Sequence, residues 1–336
     1  MEKKWTIILV STFVALGALV AYIIFIDNPD GTKKPASQIV SEVIEKTTKP
    51  TNKGDSSFFA DKEVINILLI GKDIGSERRS KGQTGYNADT LILLSINPKK
   101  NKALLTSFPR DIWQNNSKIN GILVTQGMDS LLDAMSKISG QKVDKYIAID
   151  FDGTRWLVNQ FKGVPVEVET SFVDNTFPNN SDTAVTTVSF NKGTEIMDGE
   201  RALTFARSRK GNNGEGSDLK RAKRQHQILK GMVKAVEKED SNFYPFNIED
   251  FYNKVIKNLE TNVSLDDAYY IFSFYKNMNE YLIQSLVLDD RYIYHPENAA
   301  PYGGAWVFIA KDAGFKSLHK DISDFLLTDV NPLDTQ

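Results

Sequence analysis

The chain carries a nearly continuous apolar run, Val64-Ile65-Asn66-Ile67-Leu68-Leu69-Ile70, which ends at Gly71. In a strand, successive side chains point to opposite faces, so a short and nearly continuous apolar run is typical of a strand that is buried on both faces of its sheet. Two similar runs, Thr90 to Ile96 and Ala103 to Phe108, are separated by the turn-forming segment Asn97-Pro98-Lys99-Lys100-Asn101. The sequence therefore predicts three neighbouring strands in one sheet.

Segments around these strands predict helices and further strands. Apolar residues recur at helical spacing from Gly127 to Ile138, and Gly140 is placed to end that helix. Pro165 should confine its strand to a sheet edge, because proline has no N–H to donate to a ladder. The other predicted helices are Asp152 to Phe161, Asp198 to Ala206, Ser217 to Val236, Ile248 to Leu259 and Ser264 to Lys276, and the other predicted strands are Tyr146 to Ile149, Val164 to Val168, Leu282 to Leu288 and Trp306 to Ala310. This irregular alternation favours a mixed α/β fold in one domain, with a mixed central β-sheet flanked by helices.

An uncharged apolar segment, Trp5 to Ile26, precedes this body. About 20 apolar residues cross a bilayer as a helix, so we expect one transmembrane helix here. Lys3 and Lys4 precede it and Asp27 and Asp30 follow it, which places the N-terminus in the cytoplasm and the body outside the cell. A cleaved signal peptide is the alternative, but no small-residue cleavage site follows the apolar core. The chain then divides into a cytoplasmic tail at 1–4, the membrane helix at 5–26, an extracellular linker at 27–60, a main domain at 61–330 and a tail at 331–336.

Composition excludes several classes of site. The net charge of −2 gives no overall positive field for nucleic acid, so a nucleic-acid-binding function is disfavoured. The absence of cysteine excludes thiolate metal sites and thiol nucleophiles. The three histidines, His226, His295 and His319, show no paired spacing, which argues against a histidine zinc site.

Basic residues are concentrated between Ala206 and Gln225. Guanidinium groups bind phosphate in a bidentate manner, so several arginines in one neighbourhood point to a phosphate or diphosphate ligand. Arg207 and Arg209 would project to the same side if that segment were extended. The alternative for any basic run is a solvated surface.

The helix predicted after this segment brings a second set of polar residues together. Asp218, Arg221 and Gln225 fall on one helix face, and Ser217 is the expected N-cap. The unpaired N–H groups of the helix N-terminus would favour an anion there. Arg224 lies toward the edge of that face, and we expect it and the neighbouring lysines to be solvated.

Polar residues also mark the ends of the three predicted strands. Asp73 follows the first strand, Asp89 precedes the second, and Arg110-Asp111 ends the third. Each has an ordinary structural explanation: a turn residue, a cap, and an exposed ion pair that contributes little. Together, two carboxylates for a hard divalent cation and several arginines for diphosphate oxygens form the arrangement that phosphoryl transfer requires.

The order of these motifs along the chain resembles that of the LytR-CpsA-Psr family of cell-wall ligases, whose fold is an α/β/α sandwich. The matching segments lie between residues 64 and about 230, and the expected N-terminal anchor agrees with the family. They are Asn66 to Asp73, Ala88-Asp89-Thr90, Phe108-Pro109-Arg110-Asp111, Lys118-Ile119-Asn120, Arg207-Ser208-Arg209, and Ser217-Asp218 through Arg221 to Arg224-Gln225.

The resemblance implies a Mg²⁺-dependent phosphotransferase outside the cell membrane. It would move a glycopolymer of the teichoic acid or capsular polysaccharide type from a polyprenyl diphosphate carrier onto peptidoglycan, with a pyrophosphatase side activity. Asp73 and Asp89 would hold Mg²⁺. The residues implied in diphosphate binding are Arg110, Arg207, Arg209, Arg221 and Asn87, and those implied in catalysis are Asp89, Arg110, Arg207, Arg209 and Asp218.

One position departs from the family pattern. The family commonly has arginine two residues before the aspartate that matches Asp89, and this chain has Asn87. Asparagine brings no charge to a phosphate, and Arg78 or Arg79 on the same loop are candidates to compensate. The departure keeps a second hypothesis open, a membrane-anchored protein that binds or senses polyprenyl diphosphate without turnover. The glycine-rich segment 211–216 is a further hypothesis, a mobile lid beside the site.

The C-terminal part offers one more polar and aromatic segment. Asp289-Asp290-Arg291 and Tyr302-Gly303-Gly304-Ala305-Trp306 could contact a sugar polymer. The simpler alternative is a turn that packs beneath Trp306.

Overall fold

The computed structural model describes residues 57–82, 85–179, 184–237, 256, 258–264, 267, 270 and 281–333. These residues belong to two compact units: unit 1 comprises residues up to 62 with 155–174 and 188–280, and unit 2 comprises 63–154, 175–187 and 281 onward. The predicted membrane helix at 5–26 and most of the 27–60 linker lie outside the described residues. Within the described part, no helix is long and apolar enough to cross a membrane. The domain limits at 61 and 330 stay predictions.

The described strands and helices follow in chain order. The strands are β1 Ile65–Lys72, β2 Ala88–Asn97, β3 Lys102–Ser107, β4 Trp113–Gln114, β5 Ser117–Lys118, β6 Lys145–Ile149, β7 Val164–Val168, β8 Phe172–Pro178, β9 Val185–Phe190, β10 Gly193–Met197, β11 Leu259–Thr261, β12 Leu282–Val287, β13 Ile293–Tyr294 and β14 Ile309–Ala310. The helices are α1 Ser76–Ser80, α2 Ile119–Gln126, α3 Met128–Ser139, α4 Phe151–Gln160, α5 Gly199–Arg207, α6 Asp218–Glu237 and α7 Lys316–Leu327, with a 3₁₀ turn at Ala300–Tyr302.

The sheet of unit 2 is built around the apolar run that opens the chain's body. Its strands lie in the order β6-β1-β2-β3-β12. The β1-β2 and β2-β3 pairs are antiparallel, while β6 pairs with β1 and β12 with β3 in parallel. The first six residues of β1 are buried, as expected of a central strand. The mixed central sheet and its three neighbouring strands are thus confirmed.

Helices cover this sheet within unit 2. Helices α2 and α7 pack on the sheet, and α3 packs against both helices. Leu131, Met135 and Ile138 of α3 enter the same core as Leu68 of β1. Helix α3 ends at Gly140 in the left-handed region with φ of 69°, as its sequence predicts. The mixed α/β class is confirmed, and the second helix layer of a sandwich stays a prediction.

Unit 1 contains a small antiparallel sheet and two connected helices. Strands β7 and β10 pair, and Pro165 lies opposite Ile196. Both strands of a two-stranded sheet are edge strands, so Pro165 lies at a sheet edge, where its missing N–H is tolerated. Helix α6 packs on β7, and α5 packs on α6. Ser217 caps α6 as predicted, since its Oγ accepts from Lys220 N at 3.2 Å, and Asp198, expected as the first residue of its helix, is the N-cap of α5, with its Oδ1 accepting from Arg201 N at 2.8 Å.

Candidate functional site

The end of β1 places Asp73 beside the segment that leads into β2. A Cβ on Gly71 would lie 2.9 Å from Thr90 Cβ, so glycine allows the two strands to approach this closely. The pairing register shifts directly after Gly71. The backbone N–H of Asp73 then donates to the carbonyl oxygen of Asn87 at 2.9 Å. Two of the predicted site residues, Asp73 and Asn87, are therefore held next to each other.

Arg78 and Arg79 have different partners. Arg78 Nη1 lies 3.2 Å from the Asp73 carboxylate and donates to the Asp73 carbonyl oxygen at 2.9 Å. Arg79 Nη2 instead contacts Asp150 at 2.7 Å and Asp152 at 3.1 Å. The hydrogen bond with Asp150 raises the pKa of Arg79 further above its ordinary value. Of the two candidates to compensate for Asn87, only Arg78 is placed at Asp73.

Asp89 and Arg110 form the second charged pair of the sheet end. Arg110 Nη1 lies 2.8 Å from Asp89 Oδ2, and their side chains are 24% and 12% exposed. Arg110 Nε lies 3.6 Å from Asp111, whose carboxylate also accepts from Lys118 Nζ at 2.6 Å. The Arg110–Asp111 pair, offered from the sequence as the ordinary explanation, is therefore present but partly buried, and Arg110 has a shorter contact with Asp89. A partly buried pair of this kind is screened less than a surface pair.

The segment Lys118-Ile119-Asn120 holds the chain after β3 in place. Ile119 N donates to the Ile112 carbonyl oxygen at 2.9 Å, and Asn120 N donates to the Arg110 carbonyl oxygen at 3.3 Å. With the Lys118–Asp111 pair, these bonds fix both the backbone and the charge of the Arg110 segment. The segment Lys118-Ile119-Asn120 therefore helps to position Arg110.

The arginine segment of unit 1 is not a strand. Arg207 is the last residue of α5, and Ser208 is its C-cap, so the argument that Arg207 and Arg209 share a side through strand periodicity is wrong. A buried carboxylate holds this segment instead. Asp174 Oδ2 accepts from Ser208 Oγ at 2.7 Å, from Arg209 N at 3.3 Å and from Lys210 N at 3.1 Å.

Sequence reasoning missed Asp174. It is 2% exposed and lies two residues after the buried Phe172 in β8. Positions two apart face the same side of a strand, so a carboxylate at an inward position is the signal that could have found it. Such a group needs hydrogen-bond partners, and the chain after α5 provides them.

Arg224 is buried, so the expectation that it is solvated is wrong. Its side chain is 2% exposed and contacts Glu215 Oε2 at 2.8 Å and the Glu215 and Phe205 carbonyl oxygens at 3.1 Å, along with the Ser208 carbonyl oxygen. Burial lowers the pKa of Arg224, and the charge of Glu215 opposes that change. An arginine with these partners ties α5 to the loop before α6. Its role in this structure is positional.

The remaining predicted residues of α6 differ in placement. Arg221 is 7% exposed, which makes it far more buried than a solvated helix face would allow. Asp218 is the first residue of α6. Neither observation tests a role in ligand binding.

The glycine-rich segment 211–216 is anchored at several points. Asn212 exchanges two bonds with Val173, through its N–H at 3.0 Å and through its Oδ1 at 2.8 Å. Asn213 Nδ2 donates to the Ser171 carbonyl oxygen at 2.8 Å, and Glu215 holds both Arg224 and Lys220. These contacts disfavour the lid hypothesis.

The carboxylates of unit 2 match the donor chemistry of Mg²⁺. This ion usually takes one or two protein carboxylates and completes its shell with phosphate oxygens and water. Asp73 and Asp89 supply two such groups at one end of the β1-β2 pair, each beside an arginine. Among the described residues there is no group of three or more histidine or acidic side chains for an all-protein metal cage. The arrangement therefore fits a metal that binds together with a phosphate ligand.

Comparison with known proteins identifies the family. Residues 32–321 match the model of the LytR_cpsA_psr family. The chain belongs to this family. A relative, the polyisoprenyl-teichoic acid–peptidoglycan teichoic acid transferase TagV of Bacillus subtilis (strain 168), is 27% identical over 72% of this chain and 60% of its own length. The corresponding transferase TagU of Bacillus mycoides (strain KBAB4) is 25% identical over 82% of this chain and 85% of its own.

Solved structures of the LytR_cpsA_psr family share the fold. The crystal structure of B. subtilis TagV matches with a TM-score of 0.58 at 24% identity, over 80% of this chain and 99% of that chain. The present chain spans 60% of the length of the curated TagV relative.

Proposed function

We propose that this chain transfers a glycopolymer from a polyprenyl diphosphate carrier onto peptidoglycan in a Mg²⁺-dependent reaction. The names of its relatives, which describe transfer of teichoic acid onto peptidoglycan, support this class of reaction. A membrane anchor at 5–26 would keep the body outside the cell, beside lipid-linked donors. A pyrophosphatase side activity would follow if water replaced the sugar acceptor.

The paired charges at the end of β1 and the start of β2 carry this proposal. Arg78 neutralises Asp73, and Arg110 neutralises Asp89. Both carboxylates would be available for a metal once the arginines turned to phosphate oxygens, because guanidinium binds phosphate as well as carboxylate. The site thus exchanges internal ion pairs for contacts with a metal diphosphate.

The chemistry would be an in-line displacement at the glycopolymer phosphate. The acceptor hydroxyl oxygen forms a bond to that phosphorus, the bond to the bridging oxygen breaks, and polyprenyl phosphate leaves while the hydroxyl proton passes to water. Arg110 would stabilise the negative charge that develops on the phosphoryl oxygens. Bound Mg²⁺ would supply further charge neutralisation. Arg207, Arg209, Arg221 and Asp218 stay predicted participants.

A transfer assay tests the proposal. The purified chain, a polyprenyl diphosphate-linked glycopolymer and peptidoglycan are incubated with Mg²⁺ or with EDTA, and glycopolymer bound to peptidoglycan is measured. We expect transfer with Mg²⁺ only, and at least a hundredfold loss in Asp89→Ala, an order of magnitude typical for one electrostatic group at such a site. Asp133→Ala is the matched control, since Asp133 is an exposed carboxylate on α3 that contacts Lys137 Nζ at 2.6 Å.

The same assay distinguishes the second hypothesis. Asn87 in place of arginine is the observation that favours a protein that binds the lipid diphosphate without turnover. In that case the chain would bind the donor with Mg²⁺, and neither transfer nor release of phosphate would occur. Transfer that persists in EDTA or in Asp89→Ala would contradict the proposed function.

A further inference from the structure

Unit 2 exposes a tryptophan that the phosphate site does not use. Trp306 is 52% exposed. The ring of His295 stacks on the indole of Trp306, with 5.1 Å between the ring centroids and an interplanar angle of 26°. Phe308 contacts it edge to face at 4.7 Å and 72°. Neighbouring rings therefore hold the indole in a defined orientation while much of its surface faces solvent.

A second aromatic pair lies on the adjoining backbone. Trp113 and Tyr302 meet edge to face at 5.5 Å and 76°. Trp113 N donates to the Phe308 carbonyl oxygen at 2.8 Å, which joins the two pairs. We call the five rings of Trp113, His295, Tyr302, Trp306 and Phe308 the aromatic platform.

The aromatic platform is attached to the segment that carries Arg110. Phe308 N donates to the Asp111 carbonyl oxygen at 3.0 Å, and Ile112 forms a bridge with Phe308. His295 Nδ1 donates to the Val307 carbonyl oxygen at 2.9 Å, which fixes its ring beneath Trp306. A ligand on the platform would therefore lie along the same stretch of chain as the proposed phosphate site.

We propose that the aromatic platform binds the glycan strand of peptidoglycan, the acceptor. An aromatic ring that neighbouring rings hold in place and that is half exposed, as Trp306 is, suits a ligand that is apolar on its faces and polar at its edges, and a pyranose ring has that character. The identification of this glycan as the acceptor rests on the proposed function.

Charge favours the glycan strand over the glycopolymer. The segment 289–312 carries four carboxylates, Asp289, Asp290, Glu297 and Asp312, against two basic side chains, Arg291 and Lys311, which leaves a net charge of −2. A chain of phosphodiesters would be repelled by that balance. An amino-sugar backbone without phosphate would not.

Binding to sugars alone, with no donor present, tests the platform. The purified full chain is titrated with chitotetraose, a neutral oligomer of N-acetylglucosamine, with soluble peptidoglycan strands, and with poly(glycerol phosphate), using saturation-transfer NMR and calorimetry. We expect the first two to bind and Trp306→Ala to weaken them by roughly tenfold or more, as for truncation of a central tryptophan in an interface. Trp306→Phe, which keeps a ring, should retain most of the binding.

Tyr294→Ala is the matched control. Tyr294 is 44% exposed and lies in the neighbouring strand β13, opposite Ile309. Its removal should leave glycan affinity within about twofold. Unchanged affinity in Trp306→Ala, absence of binding by the wild-type chain, or Trp306-dependent preference for poly(glycerol phosphate) would each overturn the assignment.

The outcomes separate this inference from the proposed function. If the chain binds glycan through Trp306 but never transfers glycopolymer, the glycan site is supported and the proposed transfer reaction is refuted. If the chain transfers glycopolymer but the Trp306→Ala variant binds glycan as the wild type does, only the glycan site is refuted.

Discussion

Arg78 and Arg79 are adjacent and carry the same charge, yet they belong to different ion pairs. Arg78 contacts Asp73, and Arg79 contacts Asp150 and Asp152. The position of each guanidinium decides what it can do, since a contact with a substrate phosphate requires the arginine to be beside the metal carboxylates. Arg78 meets this condition, and Asn87 next to Asp73 supplies no charge of its own.

We therefore expect Arg78→Ala to lower transfer by at least about tenfold, because one charge-assisted phosphate contact is lost. Arg79→Ala should leave transfer within about threefold. The measurement is kcat/KM for the lipid-linked donor, with melting temperatures of both variants as the control for folding. Equal losses in the two variants would refute the assignment of Arg78 to the phosphate.

Single residues also show where sequence reasoning succeeds and fails. The positions of Asp73, Asp89 and Arg110 at strand ends follow from the apolar runs that precede or follow them. Burial of Arg224 does not, because a basic run in a sequence gives no sign of which member meets Glu215 across a loop. Contacts between residues distant in sequence decide that outcome.

At the scale of elements, periodicity and caps predict well because local physics sets them. Strand β1 and helix α3 follow from apolar spacing, α6 begins at its predicted cap Ser217, and α5 begins within one residue of the predicted start at Asp198. The end of α5 was less predictable: the helix includes Arg207, one residue beyond the expected end at Ala206. Helix ends depend on the chain that follows, and here that chain is held by Asp174.

The packing of α6 on β7 leads to a prediction in which two effects oppose each other. Gly231→Ala should stabilise a helix by about 1 kcal/mol through propensity alone. An added Cβ would, however, lie 2.7 Å from the Pro165 carbonyl oxygen. Overpacking against backbone costs about 1–3 kcal/mol, so we expect net destabilisation or at best no gain in urea unfolding.

Gly121→Ala in α2 is the matched control. The nearest atom to an added Cβ there is Ser117 Oγ at 3.5 Å, an ordinary contact. This variant should gain about 0.5–1 kcal/mol in the free energy of unfolding. A similar gain in Gly231→Ala would show that α6 does not pack against β7 as closely as described.

At the scale of the whole chain, the two compact units interleave along the sequence. Unit 1 takes residues up to 62, 155–174 and 188–280, and unit 2 takes 63–154, 175–187 and the residues from 281 onward. Composition and linkers reveal boundaries only between consecutive domains, so a pattern of this kind escapes the sequence. The family and the mixed sheet were predictable because short stretches of sequence contain the motifs and the apolar runs of the buried strands.

The central claim is that Asp73 and Asp89 hold Mg²⁺ while Arg110 binds the diphosphate of the donor. A crystal structure of the full chain with Mg²⁺ and a short polyprenyl diphosphate tests it most directly. We predict a metal about 2.1 Å from carboxylate oxygens of Asp73 and Asp89, and a diphosphate oxygen about 3 Å from Arg110 in place of its contact with Asp89. A diphosphate bound elsewhere, with the Asp89–Arg110 pair still at 2.8 Å, would contradict the account.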